Sequence, residues 1–229
     1  MNPNTFHTTD DEQWMSISDL MALLMLIFMF IAIIFVRTVV NQERVFQEEC
    51  DKIYRVLETE FKDDFINWRV ELLEDLTIRF KNPEVLFLAG SDEIRPYFQN
   101  ILTTFFPRYM RVVVPYKSDI REIRIEGHTS SEYISATDEE DAYFRNMELS
   151  HNRTRAILQY VLSLPESSDY ENWARPRMTA NGLSSSKLLN ASGELLDAGG
   201  AEDRNLSRRV EFRLLTSSCQ KAGVYANQN

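Results

Sequence analysis

The sequence predicts an α/β protein in which one membrane-spanning helix and a long amphipathic helix precede a sandwich domain. Three patterns support this: an unbroken apolar run near the N-terminus, a charged stretch of helical periodicity after it, and alternating strand and helix signals beyond. The 229 residues are enough for one anchor and one compact domain of about 130–150 residues.

The apolar run extends from Leu20 to Val36 without a polar residue. A helix from Trp14 to Val36 rises about 30 Å, which matches the hydrocarbon core of a bilayer. Trp14 and Arg37 lie where interfacial anchors belong. The segment before the run is acidic and no small-residue cleavage site follows it, so we expect a retained transmembrane helix and not a signal peptide.

Asp19 lies at the start of this span. A carboxylate inside a spanning helix costs roughly 2.5–3.5 kcal/mol at mid-membrane on insertion scales, so it usually faces a partner or an aqueous path. Asp19 is therefore a candidate functional carboxylate in the membrane. The alternative is an N-cap just outside the hydrocarbon, next to Ser16 and Ser18.

Charge and cysteine content narrow the function classes. The net charge of −10 argues against a nucleic-acid partner. Cys50, Cys219 and the three scattered histidines match no metal spacing, so we expect no metal site. An intrachain disulfide and a Cys50–Cys50 bridge in a dimer stay open, but we expect two unpaired thiols. No nucleophile–base pair or nucleotide loop appears, so we expect no enzymatic activity.

Residues 41–82 contain no Gly or Pro, and their apolar residues recur at three- and four-residue steps. This predicts one long amphipathic helix, continuous with the span or hinged from it. Its apolar stripe runs from Val45 to Phe80 and would pack on the domain or on the same helix of a second copy. We favour self-association.

The remaining residues predict the order β-α-β-α-β-(α)-β, a sheet with helices on one side. The predicted elements are a strand at 85–89, a helix at 93–106, a strand at 120–126, an acidic loop at 129–142, a helix at 147–164, a strand at 176–181, a loop with a short helix at 183–202, and a strand at 210–215.

Three blocks of this domain resemble the signature of OmpA-like peptidoglycan-binding domains. They are Ile123–Ser130 (I-R-I-E-G-H-T-S), Asn146–Arg153 (N-M-E-L-S-H-N-R) and Ser207–Phe212 (S-R-R-V-E-F). They occur in the family's order within about residues 84–216, so the resemblance implies an OmpA-like fold.

The resemblance also implies a peptidoglycan site. Arg153 would bind a carboxylate of the diaminopimelate in the stem peptide, since guanidinium grips carboxylate bidentately, and Asn146 and Leu149 would shape the pocket. The alternative for Arg153 is an exposed helical salt bridge. Arg208 and Arg209 are expected to position the last strand and pair with nearby acids.

Ser130 stands where the family has an Asp that meets the ligand's ammonium group. A hydroxyl cannot neutralise that charge, so binding is weaker here or an acid of the loop replaces the missing carboxylate. The loop acids are Glu132, Asp138, Glu139, Glu140 and Asp141. We interpret them as solvated surface.

With an early Asp in a single N-terminal helix, the whole chain resembles the B subunits of ion-driven stators. Trp14–Met21 (W-M-S-I-S-D-L-M) resembles ZorB-type subunits of the Zorya anti-phage system, relatives of the flagellar MotB subunit. The resemblance implies a homodimer inside a pentameric ring of polytopic A subunits, which passes the output to a cytosolic effector. Asp19 would carry the translocated H⁺, or Na⁺, and no cofactor is implied.

The resemblance further implies a single-pass protein of the bacterial inner membrane with a cytoplasmic N-terminus. Arg37 and Arg44 follow the helix and would by themselves place the C-terminal part in the cytoplasm. A wall-binding domain has to lie on the wall side, so we place it in the periplasm. The predicted segments are a cytoplasmic tail (1–13), a transmembrane helix (14–40), a linker and dimerisation helix (41–82), an OmpA-like domain (83–216) and a tail (217–229).

Three other interpretations remain. A passive OmpA-like envelope tether needs Arg153 but not Asp19. A flagellar MotB-type stator subunit would share both residues. TolR- or ExbD-like energy transducers also have an early Asp, but their periplasmic domain lacks the Gly-His-Thr and Leu-Ser-x-x-Arg blocks.

Overall fold

The computed structural model describes residues 8–81, 83–88, 90–197 and 200–219, with the side chains of 8–19, 43, 83 and 84 outside the described part. The chain divides into two compact units, Met1–Phe46 and Gln47–Asn229. The predicted tails lie largely outside the described residues, which omit 1–7 and 220–229.

Helix α1 spans Thr8–Trp68 and includes the whole apolar run. Within the described residues, it is the one helix that is long and apolar enough to cross a membrane. The side chains from Leu20 to Val36 are exposed all round the helix. An apolar surface of this kind requires lipid or protein to cover it.

The part of α1 after Gln47 belongs to the second unit, where its apolar stripe is buried. Ile53, Leu57 and Phe61 are at most 1% exposed. The ring of Phe61 lies 5.2 Å from that of Phe105 in the domain core. The prediction that this stripe mediates self-association is therefore wrong, because the domain of the same chain already covers it.

The predicted helix at 41–82 is also too long. Helix α1 ends at Trp68, and a hairpin of strands β1 (Val70–Leu72) and β2 (Thr77–Lys81) follows. Arg69 and Leu76 adopt positive φ angles of 57° and 63°, which no helix allows. Strict alternation in Thr-Ile-Arg-Phe-Lys was the available signal for β2.

The other elements confirm the α/β class. They are helix α2 (Pro83–Leu86), helix α3 (Pro96–Val113), strand β3 (Ile120–His128), helix α4 (Glu139–Ser163), helix α5 (Glu171–Ala174), strand β4 (Met178–Gly182), helix α6 (Arg204–Ser207) and strand β5 (Arg209–Thr216), with short 3-10 turns at Val114–Tyr116 and Pro165–Ser167. The sheet order is β1-β2-β5-β3-β4, and only β3 and β4 are parallel.

One predicted strand is absent, and the bounds of two predicted helices are wrong. The apolar run at 85–89 is not a strand, since α2 ends at Leu86 and Phe87 forms an isolated bridge with Ile94. Helix α3 begins at Pro96, where a missing N–H is tolerated, and continues past Pro107 because the residues beyond it are buried. Helix α4 begins eight residues earlier than predicted, at Glu139.

The two faces of the sheet differ in chemistry. Ile125 and Phe212, which are register partners, point into the apolar core. The alternate positions on β3 and β5 hold the buried carboxylates Glu126 and Glu211. The loop after β4 lies against this charged face, where the side chain of Arg209 donates through Nη1 to the backbone carbonyl oxygen of Lys187 at 3.0 Å.

Helix α4 lies unusually close to the sheet because two glycines face it. Gly127 and Gly182 are register partners on β3 and β4. A Cβ at Gly127 would lie 2.8 Å from the carbonyl oxygen of Ser150, and a Cβ at Gly182 would overlap the backbone nitrogen of His151. The glycines therefore bring α4 against the end of β3, where the candidate site is.

Cys50 on α1 and Cys219 after β5 form a disulfide, with their Cα atoms 5.2 Å apart. The expectation of two unpaired thiols is therefore wrong. Nothing in the spacing of the two residues indicates the pairing, because they lie 169 positions apart and meet only in the folded domain.

Candidate functional site

A cavity of about 660 Å³ lies in the described part of the domain where β3 ends, beside α4 and the segment before α3. All four residues that the sequence singles out in this domain line it: Ser130, Asn146, Leu149 and Arg153. The other lining residues are Phe87, Leu88, Gly90, Arg95, Thr129, Glu132, Tyr133, Ile134, Ser135 and Arg208. The structure thus brings these four residues together in one cavity.

Helix α4 presents three of these residues on one face. Asn146, Leu149 and Arg153 follow each other at three- and four-residue steps, which align along a helix. The helix begins where the side chain of Asp138 accepts a hydrogen bond from the backbone nitrogen of Asp141, at 2.8 Å. An acidic N-cap followed by acidic residues is a strong start signal that could have placed this helix from sequence.

Asn146 positions the loop that forms one wall of the cavity. It is 2% exposed, and its Nδ2 donates to the carbonyl oxygens of Ser130 at 3.1 Å and Glu132 at 3.2 Å. Because the amide holds two backbone groups at once, we assign it a structural part in shaping the site.

Arg153 is held by backbone groups. Its Nε donates to the carbonyl oxygen of Ser91 at 2.8 Å, and its Nη2 donates to that of Leu88 at 3.3 Å. The guanidinium carbon lies 4.9 Å from the centre of the Phe87 ring. Within the described residues Arg153 forms no salt bridge, so the expected alternative of a helical ion pair does not apply.

Burial, and secondarily the charge of Arg208, lower the pKa of Arg153 to about 10. The guanidinium remains protonated at neutral pH. It is thus a fixed, partly desolvated cation whose environment favours the arrival of an anion.

Two further arginines line the cavity, and the sequence did not assign either to it. Arg95 donates through Nε to the carbonyl oxygen of Phe87 at 2.9 Å. Arg208, expected only to position the last strand, donates through Nη2 to Asn205 Oδ1 at 2.6 Å. The one carboxylate in the lining is that of Glu132, which pairs with Arg204 at 2.7 Å.

The acids of the predicted acidic loop, residues 129–142, have different positions and contacts. Of its five acids, only Glu132 lines the cavity. Asp138 caps α4, and Asp141 pairs with Arg145 at 2.7 Å, which together with Thr137 lowers the pKa of Asp141. Asp138 and Asp141 thus stabilise the start of the helix and lie outside the cavity lining.

Two hydroxyl groups lie beside the arginines. Thr129 is 4% exposed, and its Oγ1 has no hydrogen-bond partner among the described residues. Ser130 is 6% exposed, and in the same part of the chain only its backbone carbonyl forms a hydrogen bond. A buried polar atom without a partner costs stability, so the Thr129 hydroxyl is an unfavourable feature of the folded domain.

A smaller, more polar pocket of about 220 Å³ adjoins the cavity and shares Gly90, Tyr133 and Leu149 with it. It adds the carboxylates of Asp92 and Glu148, together with Arg145 and Asn152. The two pockets thus share part of their walls.

Glu126, His128 and Glu211 are the described residues that could hold a metal ion, since their ligand atoms lie within 4.8 Å of one another. Four guanidinium groups already contact the two carboxylates: Arg79 and Arg209 on Glu211 at 2.7 Å, and Arg124 and Arg213 on Glu126 at 3.4 and 3.5 Å. A divalent cation would meet four fixed positive charges here. We therefore assign the cluster a structural part, as expected for the pairing of Arg209.

The contacts within this cluster set the protonation of its buried residues at the ends of β3 and β5. Burial lowers the pKa of His128, so the ring is neutral at pH 7. Burial alone would raise the pKa of Glu211, but contacts with His128 and Arg209 hold it below its ordinary range.

Asp19, the predicted ion-carrying residue, lies on the backbone of α1, but its side chain is outside the described residues. Its part in function stays a prediction.

The chain and its fold were compared with known proteins. No family model matches the chain. A MotB-like protein from Desulfovibrio vulgaris has a similar structure, with a TM-score of 0.53 and 24% identity over 76% of this chain and 96% of that one. The periplasmic domain of Helicobacter pylori MotB also matches, with a TM-score of 0.42 and 15% identity over 69% of this chain and 88% of that one.

The fold is thus that of a MotB-like α/β domain that follows an N-terminal apolar helix. In sequence, the chain is 42% identical over 217 residues to the Zorya protein ZorB of Escherichia coli (Crooks strain), covering 91% of this chain and 90% of that protein. The chain belongs to the Zorya protein ZorB family. The resemblance to ZorB-type subunits is confirmed.

Proposed function

We propose that this chain is the peptidoglycan-anchored B subunit of a stator-like, proton-driven complex in the bacterial inner membrane that acts in anti-phage defence. Membership of the ZorB family supports this class of function. The observation that carries the anchoring is the cavity of about 660 Å³ in which the partly buried cation of Arg153 has no ion-pair partner among the described residues.

Arg153 binds a carboxylate of the diaminopimelate in the stem peptide. Its Nε and one Nη2 hydrogen are occupied by backbone carbonyls, which orient the guanidinium plane, and Nη1 has no hydrogen-bond partner among the described residues. Because the side chain is held before the ligand arrives, little conformational entropy is lost on binding.

The chain crosses the inner membrane once, with its N-terminus in the cytoplasm and the domain in the periplasm. The apolar part of α1 supplies the span. The disulfide between Cys50 and Cys219 supports a periplasmic domain, since disulfides persist in oxidising compartments. This evidence is independent of the basic residues that follow the helix, which favour the opposite orientation.

Two copies of the chain lie inside a pentameric ring of polytopic A subunits, which transmits the output to a cytosolic effector. The exposed, uniformly apolar surface from Leu20 to Val36 suits such an enclosure. Asp19 takes up and releases the translocated H⁺, or Na⁺, and each charge change biases the contact with the ring. A purified complex with one copy of this chain, or with no polytopic partner, would contradict the assembly.

Replacing Arg153 with Ala tests the anchoring. It removes a charge-assisted contact worth roughly 1.5–3 kcal/mol, so binding of the full-length protein to isolated sacculi should weaken about tenfold to hundredfold in a pull-down assay. Arg155→Ala is the matched control, because Arg155 is an exposed arginine on the same helix. Equal binding by both variants, with unchanged melting temperatures, would remove the wall-anchoring function.

Replacing Asp19 with Asn tests the ion-carrying step. Asn has nearly the same shape but cannot carry a proton, so the complex should assemble and protection in a phage-challenge assay should be lost. Asp11→Asn removes a carboxylate outside the apolar run and should protect normally. Full protection by Asp19→Asn would leave only the passive tether function.

A further inference from the structure

We propose that Asp92, assisted by Glu148, receives the ammonium group of a zwitterionic ligand end whose carboxylate is bound by Arg153. This proposal rests on the proposed wall-binding function and names the residues that recognise the amine beside that carboxylate. Both acids line the polar pocket of about 220 Å³ that adjoins the cavity. Neither belongs to the acidic loop at 129–142, so the ammonium group is met by a different part of the chain from the one that holds Ser130.

The contacts of Arg153 bring the segment that carries Asp92 to the edge of the cavity. The guanidinium donates to the carbonyl oxygens of Leu88 and Ser91, at 3.3 and 2.8 Å, and Asp92 is the next residue in the chain. The hydroxyl of Ser91 accepts a hydrogen bond from the backbone nitrogen of Glu93 at 3.0 Å, which closes a turn around Asp92. The backbone of Asp92 is therefore fixed relative to the guanidinium by contacts on both sides.

Asp92 acts electrostatically on Arg153 without binding it. Burial and the charge of Arg208 lower the pKa of Arg153, whereas the negative charge of Asp92 acts in the opposite direction. In the described part of the chain, Asp92 and Arg153 form neither a hydrogen bond nor an ion pair. A ligand group with both charges can therefore lie between them. An amino-acid end, which has its ammonium and carboxylate on one carbon, is such a group.

The polar pocket offers two carboxylates without close partners. Its lining contains one basic residue, Arg145, which already pairs at 2.7 Å with Asp141 outside the lining. Asp92 and Glu148 are exposed, and among the described residues neither accepts a hydrogen bond or forms an ion pair. The hydrogen bond from Arg145 to Asp141 is the main cause of the raised pKa of Arg145, and the charge of Glu148 adds to it.

The arrangement suits an ammonium group in number of acceptors as well as in charge. An ammonium group has three N–H donors and no acceptor. The carboxylates of Asp92 and Glu148 and the side-chain carbonyl of Asn152 are acceptors within one pocket. Because the ligand's two charges share one carbon, the acid that acts on Arg153 is the principal partner of the ammonium group. Glu148, whose charge acts on Arg145, assists it.

The experiment is isothermal titration calorimetry of the full-length protein in detergent with two probes. One probe is a disaccharide tripeptide that contains diaminopimelate. The other contains 2-aminopimelate at the same position, so it keeps the carboxylate and lacks only the side-chain amine. We expect the wild-type protein to bind the first probe about tenfold or more tightly, since a charge-assisted contact is lost with the amine. A difference below about threefold would overturn the proposal.

Asp92→Asn keeps the size of the side chain and removes its charge. It should reduce the preference for the amine-containing probe to less than about threefold and leave the affinity for the amine-free probe within about twofold of wild type. Glu148→Gln should reduce the preference by a smaller factor. Glu93→Gln is the matched control, because Glu93 is an exposed acid next to Asp92 that lines neither pocket, and it should keep the full preference.

Two results with these variants would overturn the proposal. If Asp92→Asn kept the wild-type preference, the amine would be recognised elsewhere. If Glu93→Gln lost the preference as fully as Asp92→Asn, the effect would be one of general charge and not of a specific contact.

The outcomes separate the proposal from the function on which it rests. If neither probe binds and sacculi are not retained, the proposed anchoring and this proposal fall together. If both probes bind and both lose affinity in Arg153→Ala, the anchoring stands, and the probe preferences of the wild-type protein and the Asp92→Asn and Glu93→Gln variants alone decide the proposal.

Discussion

Glu211 shows how single residues keep the ends of the central strands buried beside the cavity. Its Oε1 accepts hydrogen bonds from the Nε atoms of Arg79 and Arg209, each at 2.7 Å, and its Oε2 lies 3.4 Å from His128 Nε2. The carboxylate thus joins three strands on the charged face of the sheet. Since His128 directly precedes the hydroxyl-bearing loop, this network also supports the position of Thr129 and Ser130.

Replacing Glu211 with Gln should destabilise the protein by about 3–5 kcal/mol at pH 7, because two buried guanidinium groups lose their countercharge. The folded-state pKa of Glu211 is held below its ordinary range despite burial, so its contribution is present above about pH 4.5 and is lost as pH falls through the folded value. Urea denaturation at pH 7 and pH 3 measures both effects. The difference between wild type and variant should shrink at pH 3.

Glu74→Gln is the matched control, since Glu74 is exposed, and should change stability by less than about 0.5 kcal/mol. A Glu211→Gln variant as stable as this control at pH 7 would mean that the arginines find other partners.

At the level of elements, the C-terminal part of α1 is a core helix of the domain. Its aromatic residues pack with α3, where Arg108 also binds Glu60 at 2.8 Å and Asp64 at 2.6 Å. Strand β2 pairs with β5 in the sheet. A fragment that begins at Pro83 lacks both elements, so an isolated domain has to begin near Gln47.

Replacing Phe61 with Ala should therefore lower the free energy of unfolding by about 3–5 kcal/mol, because Phe61 is fully buried between aromatic rings of α1 and α3. Ile66→Ala, at a position on the same helix that is 75% exposed, should cost less than about 0.5 kcal/mol. Equilibrium denaturation of residues 47–229 measures both. Equal effects would mean that this segment is not part of the core.

At the level of the whole molecule, the disulfide joins the start of the domain to its end. Cys50 precedes every strand of the sheet and Cys219 follows the last one. Closing a loop of this length restricts the unfolded chain strongly, and removing a native disulfide from a domain typically costs about 2–5 kcal/mol. A disulfide is also typical of a domain that folds in an oxidising compartment.

Alkylation with a maleimide polymer, added to membranes dissolved in a denaturing detergent so that buried thiols are reachable, should therefore label neither cysteine before reduction and both after it. The mass shift on a denaturing gel measures the result. Cys219→Ser leaves one thiol and should be labelled without reductant. Two free thiols in the wild-type protein would contradict the periplasmic orientation, and a bridged dimer on a non-reducing gel would indicate Cys50–Cys50 pairing instead.

Much of this protein is determined by patterns that lie within a few residues of each other. The run from Leu20 to Val36, the alternation of β3 and the helical spacing of Asn146, Leu149 and Arg153 each carry their structure locally, since one helix or strand can be recognised from its own periodicity. These patterns were sufficient to place the α/β class, whereas the resemblance to OmpA-like domains singled out the four residues that line the cavity.

Only the tertiary structure decided the rest, because the deciding contacts join distant parts of the chain. Residues 77–81 form a strand and not helix because β5 pairs with them, and the stripe of α1 is buried because α3 covers it. The disulfide, the convergence of Arg95 and Arg208 on Arg153, and the unpartnered hydroxyl of Thr129 likewise depend on which segments meet in space, and no local window of sequence contains that information.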